Sequence, residues 1–109
     1  MAAETEYRDE TQAPTREEID RTSGPVLLEF GTTWCGHCRA LAPRVAEHLD
    51  RLPEVRHIKV EDGPGRPLGR SFQVRMWPSF VFLRDGLVVA QVARPSHDQL
   101  AEAFGKLGG

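Results

Sequence analysis

Cysteine is scarce: the 109 residues include two, Cys35 and Cys38, three positions apart. A structural disulfide closing so short a loop adds little, because the entropic gain grows with loop length. The chain is therefore not expected to be a disulfide-stapled secreted scaffold. Basic runs are missing too. Lysines and arginines are scattered among carboxylates and the formal charge is −2, which argues against nucleic acid as a partner. No apolar run approaches the ~20 residues that span a bilayer; Leu87 to Ala90 is strand-sized, so no membrane partner is expected. The first ten residues hold four acidic side chains and no apolar block. That argues against a secretory leader and makes the cytoplasm the expected compartment. Internal repeats are absent. A hydrophobic content of 39% suits a single core of ordinary size. We read residues 1–13 as a polar N-terminal segment and 14–109 as one domain.

What is present is a succession of short elements. Thr15 and Glu18 form a capping-box pattern, predicting a short helix to about Thr22 that Ser23-Gly24-Pro25 ends. Val26 to Phe30 is nearly all apolar, as in a strand buried on both faces. Helical spacing follows from about Gly36 to Leu52 (Leu41, Val45, Leu49, Leu52), with Pro43 predicting a kink. Val55 to Val60 is a second strand, and a short helix is expected near Leu68 to Phe72. Phe80 to Leu83, the Arg84-Asp85-Gly86 turn and Leu87 to Val92 form a hairpin. Ser96 caps a last helix with Leu100, Ala103, Phe104 and Leu107 on one face. The N-terminal segment is either a frayed tail or a short edge strand around Thr5 to Arg8. Strand–helix–strand predicts a parallel pair with a right-handed crossover. The hairpin adds antiparallel strands. The fold class is α/β, a mixed sheet with helices on both faces.

The chemistry concentrates in Trp34-Cys35-Gly36-His37-Cys38, between a buried strand and a helix. A bare C-x-x-C is weak; one that follows a strand and opens a helix is a redox signature. Cys35 at the helix start meets unpaired amides and the positive end of the macrodipole, which favour its thiolate, the nucleophilic form. Gly36 removes bulk from the first turn, so Cys38 can approach Cys35. His37 can add positive charge. The competing reading is half of a zinc site, but structural zinc takes four ligands. The four histidines, His37, His48, His57 and His97, form no second close pair. His48, His57 and His97 are read as ordinary surface or helix residues. From the residues alone, Glu29 is a strand-end group facing water or a buried acid whose charged form is disfavoured. Lys59 is an exposed strand lysine or a partner to that acid. Pro78 is an ordinary trans turn by base rate.

The Trp34–Cys38 pentapeptide resembles the active site of protein disulfide isomerase domains, and the chain, over about residues 15–107, resembles the thioredoxin superfamily. A typical thioredoxin has proline where this chain has His37. Pro43, five positions after Cys38, matches the family's kink proline, and Glu29, six before Cys35, its buried carboxylate. Lys59 matches the lysine near that carboxylate. Pro78, nineteen residues after Lys59, matches the cis-proline that faces the active site. The resemblance implies a thioredoxin fold and a thiol–disulfide oxidoreductase acting as a protein-disulfide reductase. It departs in Trp77-Pro78-Ser79, where a bulky Trp77 stands at the substrate side. It departs again at a family glycine replaced by Ala93 or Arg94 after a one-residue deletion.

The expected cycle begins with attack of the Cys35 thiolate on a substrate disulfide. Cys38, losing its proton toward Glu29, then attacks Cys35 and leaves the Cys35–Cys38 disulfide. Lys59 offsets the Glu29 charge. Trp34 as a hydrophobic lid (its other reading is a core aromatic), Gly36, Trp77, Pro78, Ala93 and Arg94 form the substrate surface, although Arg94 is equally read as a solvated loop residue. No cofactor or metal is expected beyond the redox-active pair. The expected partners are disulfide-containing proteins and an electron donor such as a thioredoxin reductase or the glutathione system, with the chain a monomer. The Gly-His dipeptide pulls toward the disulfide isomerase potential, ~90 mV and so ~4 kcal/mol above thioredoxin, but a reducing cytosol keeps either couple reduced. Oxidation or isomerisation would follow only on export. A substrate-selective binding or chaperone module on the same fold is the other class.

Overall fold

The computed structural model describes Glu4 and residues 6–108. Helix α1 (Arg16–Asp20) carries the expected capping box: Thr15 Oγ1 accepts from Glu18 N–H, and Glu18 accepts from Thr15 N–H. Strand β1 (Pro25–Gly31) follows, then α2 (Gly36–Asp50), β2 (Arg56–Glu61), α3 (Pro67–Ser71), β3 (Ser79–Arg84), β4 (Leu87–Ala93) and α4 (His97–Gly108). Helix α2 runs unbroken through Pro43.

The sheet order is β2-β1-β3-β4. β1 and β2 are parallel and β3–β4 antiparallel, as the element order predicts, and β3 also pairs antiparallel with β1. Side chains of a strand alternate between faces, and that alternation sorts the core. Val26, Leu28 and Phe30 of β1 pack with Ile58 and Val60 of β2, under α1 and α3. Leu27 packs on the opposite face with Leu41, Val45 and Leu49 of α2 and Leu100 and Phe104 of α4. Glu29 shares the parity of Leu27, and His57 and Lys59 are one place out of step with Ile58 and Val60. Three ionisable residues are thereby directed to the α2 face of a buried sheet.

The β3–β4 turn places Asp85 at φ 53° and Gly86 at φ 80°, the two left-handed residues that a tight hairpin turn favours. Gly86 is also required by contact: a Cβ there would lie 2.0 Å from Asp20 O. The edge strand anticipated at Thr5 to Arg8 falls partly on Thr5, outside the described residues. Arg8 forms a single parallel bridge with Val60: its N–H donates to Lys59 O, and Glu61 N–H donates to Arg8 O. Arg8 thus lies on the outer edge of β2.

Candidate active site

Cys35 is the N-cap of α2. Its backbone is extended while the helix begins at Gly36, and its sulfur accepts the Cys38 N–H at 3.2 Å. A cap side chain that takes an orphan amide at the positive end of a helix is well placed to carry negative charge. Cys38, one turn in, is more deeply covered than Cys35, and the two are not joined by a disulfide. Burial, together with a hydrogen bond to Cys35, pushes the Cys38 thiol up to about 11. The pair is therefore asymmetric: Cys38 keeps its proton and directs it to Cys35.

Beneath the helix, Glu29 is 2% exposed and its Oε1 lies 2.8 Å from His57 Nε2. His57 is equally enclosed, so the expectation that it is an ordinary surface or helix residue is overturned. The physical reason is strand alternation, which turns it inward beside Glu29. Its tautomer follows from its other nitrogen. The Glu4 N–H donates to Nδ1 at 2.9 Å, so Nδ1 must accept and the ring proton sits on Nε2, donating to Glu29. Lys59, the registered neighbour of Glu29 across β1–β2, is buried. Among the described residues it makes no direct ion pair with Glu29; its Nζ instead lies 4.2 Å from the centre of the Tyr7 ring. The direct contact to Glu29 is made by His57. A cleft of about 390 Å³ gives these groups an opening beside α2, lined by Glu4, Glu29, Arg39, Pro43, His57 and Lys59 among others.

Of the other two histidines, His97 is exposed and His48 stacks on Phe104, ring centres 4.5 Å apart. Among the described residues no group of three or more His, Cys, Asp or Glu side chains could hold a metal ion.

The outer surface of the site is aromatic. Trp34 is 71% exposed and meets Trp77 edge to face at 5.5 Å. Trp77 is held by its indole N–H on Asp62 Oδ2 at 2.8 Å, and Arg70 binds the same oxygen at 2.7 Å. No motif in the sequence points to Asp62. The Trp77–Pro78 bond is cis. Pro78 O accepts from Arg94 N–H at 2.9 Å and Trp77 O from Arg94 Nε at 2.8 Å. Arg94 sits at φ 45°, a conformation costly for a residue with a Cβ, in the stretch where the family resemblance implies that a glycine is replaced. Its two hydrogen bonds tie it to the Trp77–Pro78 segment. Gly36, His37, Ala93 and Arg94 are exposed and Pro78 is buried.

The site thus combines a cysteine that caps a helix, a second buried cysteine one turn on and a cis Trp77–Pro78 bond. The family model described as Thioredoxin matches residues 7–106. The chain belongs to the thioredoxin family. Members of that family are protein-disulfide oxidoreductases, and the Cys35–Cys38 spacing fits their CxxC motif. Reduced thioredoxin 2 from Pseudomonas aeruginosa PAO1 superposes with a TM-score of 0.78 at 57% identity, covering 100% of this chain and 96% of that one. A thioredoxin H-type from Ricinus communis is 32% identical over 78% of this chain and 72% of its own length. Thioredoxin Asp f 28 from Aspergillus fumigatus is 42% identical over 65 residues, 60% of each chain. This chain thus aligns with less than two thirds of the Aspergillus protein. The thioredoxin fold is nonetheless shared across nearly the whole length of the Pseudomonas structure.

Proposed function

We propose that the chain reduces protein disulfides through a Cys35/Cys38 dithiol–disulfide cycle. The observation that carries this reading is the asymmetry of the pair. Cys35 sulfur receives an amide at a helix start, whereas Cys38 is held as a thiol with its pKa pushed up to about 11. Cys35 attacks one sulfur of a substrate disulfide, forming a mixed disulfide and expelling a substrate thiolate. Cys38 then gives up its proton, with Glu29 or water reached through the cleft as acceptor, and attacks Cys35 sulfur. The second substrate thiolate leaves. Two electrons have passed to the substrate, and Cys35–Cys38 is the oxidised product. His57 holds the Glu29 carboxyl, and buried Lys59 offsets its charge across the strand pair.

Trp34, Trp77 and the Pro78–Arg94 contact form the docking face. A groove of about 480 Å³ beside them, lined by His37, Leu41, Arg94, Pro95 and His97 among others, continues that face toward α4. The substrates are disulfide-bearing proteins, and a thioredoxin reductase supplies the electrons, with the glutathione system as the second candidate. Net reduction requires a reducing compartment, so we place the protein in the cytoplasm. No helix among the described residues is long and apolar enough to cross a membrane.

Insulin reduction with dithiothreitol as electron source tests the proposal. Wild type accelerates insulin precipitation and Cys35→Ser does not. Wild-type behaviour no different from Cys35→Ser would favour a binding module without turnover.

A further inference from the structure

Gly31 ends β1 against Cys38, and the structure shows why it has no side chain. A Cβ built on it would lie 2.7 Å from Cys38 Sγ and 2.7 Å from the Tyr7 hydroxyl. The space beside the resolving sulfur is therefore filled by a phenol from the polar N-terminal segment, not by the strand's own residue. Three contacts fix that segment. Arg8 is bridged into the β2 edge. The Glu4 carboxylate accepts from Lys59 N–H and from Arg8, at 2.9 and 2.8 Å. Lys59 Nζ sits over the Tyr7 ring. We propose that Tyr7 is a catalytic residue of the resolving step: its O–H donates to Cys38 sulfur and stabilises the thiolate through which Cys38 closes the Cys35–Cys38 disulfide. This rests on the dithiol cycle proposed above.

The groups facing Cys38 are few. Cys35 takes its proton in the reduced state, the Thr32 backbone contributes a hydrogen bond, and Tyr7 donates from the strap. Burial, the nearby Glu29 and the hydrogen bond to Cys38 all hold the Tyr7 hydroxyl far above the usual phenol range, so it stays a donor. Once Cys35 is bonded to substrate, it no longer offers Cys38 a negative sulfur. Cys38 must then ionise, passing its proton to Glu29 or to water as in the cycle above, in a buried place where an uncompensated charge is costly. A hydrogen bond to an ionised group is about twice as strong as one between neutral groups, so the phenol favours the thiolate over the thiol. Cys38 sulfur then bonds to Cys35 sulfur, the Cys35–substrate bond breaks, and the substrate thiolate departs and takes up a proton. Tyr7 exchanges no electron.

Tyr7→Phe in the full chain keeps the ring beneath Lys59 and removes only the hydroxyl. Stopped-flow reaction of the reduced protein with one equivalent of 5,5′-dithiobis(2-nitrobenzoic acid) separates the two steps. The first thionitrobenzoate is released as Cys35 attacks, the second as Cys38 resolves. The expected result is an unchanged first phase and a second phase slowed roughly tenfold, the size of a lost hydrogen bond to a charged group. Mass spectrometry should find the mixed disulfide on Cys35 persisting. A second phase as fast as wild type, or equal slowing of both phases, overturns the role of Tyr7. A wild-type protein that releases no first thionitrobenzoate from Cys35 would instead overturn the dithiol cycle.

Discussion

Glu29 and His57 sit on neighbouring strands with almost no solvent, and each depends on the other. His57 gives Glu29 a donor, and the Glu4 amide leaves His57 no choice of tautomer. Removing one partner of a buried polar pair costs the desolvation of the one left behind. His57→Leu should lower the unfolding free energy by about 2–3 kcal/mol, read from urea midpoints. His57→Gln, which still presents an N–H to Glu29, should recover most of it. A leucine variant as stable as wild type would mean that Glu29 finds another partner. The cysteines give a second test at this scale. With the Cys38 thiol pushed up to about 11, limited iodoacetamide at neutral pH should alkylate Cys35 first, as peptide mass mapping can decide. Labelling of Cys38 first would reverse their roles.

At the scale of elements, β1 delivers both the acid and the gap. Glu29 turns to the α2 face and Gly31, two residues on, leaves room for Cys38 and Tyr7. Gly31→Ala should displace the phenol, slow the resolving phase and cost about 1–3 kcal/mol, the usual penalty of overpacking. A variant with wild-type stability and kinetics would show that the contact yields at no cost. Glu29→Gln should leave the Cys35 phase unchanged and slow the second, because an amide can still accept from His57 but cannot take a proton. Equal second phases in variant and wild type would make Glu29 structural only. The aromatic lip is likewise a joint product of elements: Asp62 after β2 grips Trp77 before β3, and Arg94 after β4 grips the same loop.

At the scale of the molecule, the N-terminal strap depends on charge. Burial pushes Glu4 up, but hydrogen bonds from Arg8 and the Lys59 amide outweigh it and hold its carboxyl below the ordinary range. A carboxylate with a depressed folded-state pKa contributes stability above its unfolded value and loses it as pH falls through the folded one. Acid below the usual carboxylate range should therefore release the strap while the four-stranded sheet persists. Hydrogen exchange should show the Arg8 and Glu61 amides losing protection before those of β1 and β3, and Glu4→Gln should remove that pH dependence. Loss of all protection together, or an unchanged acid profile in Glu4→Gln, would count against a strap held by Glu4.

Much of this was legible in the chain because it is local. The capping box at Thr15, the apolar runs of β1 and β3, the Asp85-Gly86 turn and a C-x-x-C opening a helix each follow from neighbouring residues and the periods of helix and strand. So does the direction of the cysteine pair, since only the first can cap α2. His57 was within reach: two places before Lys59 on the same strand, it had to share the face of Glu29 once β1 and β2 were paired in register. Tyr7 was not. It lies in a polar stretch with no period, 31 positions before Cys38. Only the docking of the strap on the β2 edge brings its hydroxyl to that sulfur. Asp62, Trp77 and Arg94 meet for the same reason, through strand ends that the sheet gathers on one side. Neighbouring residues along the chain are enough to specify the elements, the redox pair and the family to which they belong. What surrounds the pair is set by packing, because hydrogen bonds to a buried sulfur or carboxyl depend on which distant segments come within about 3 Å of it.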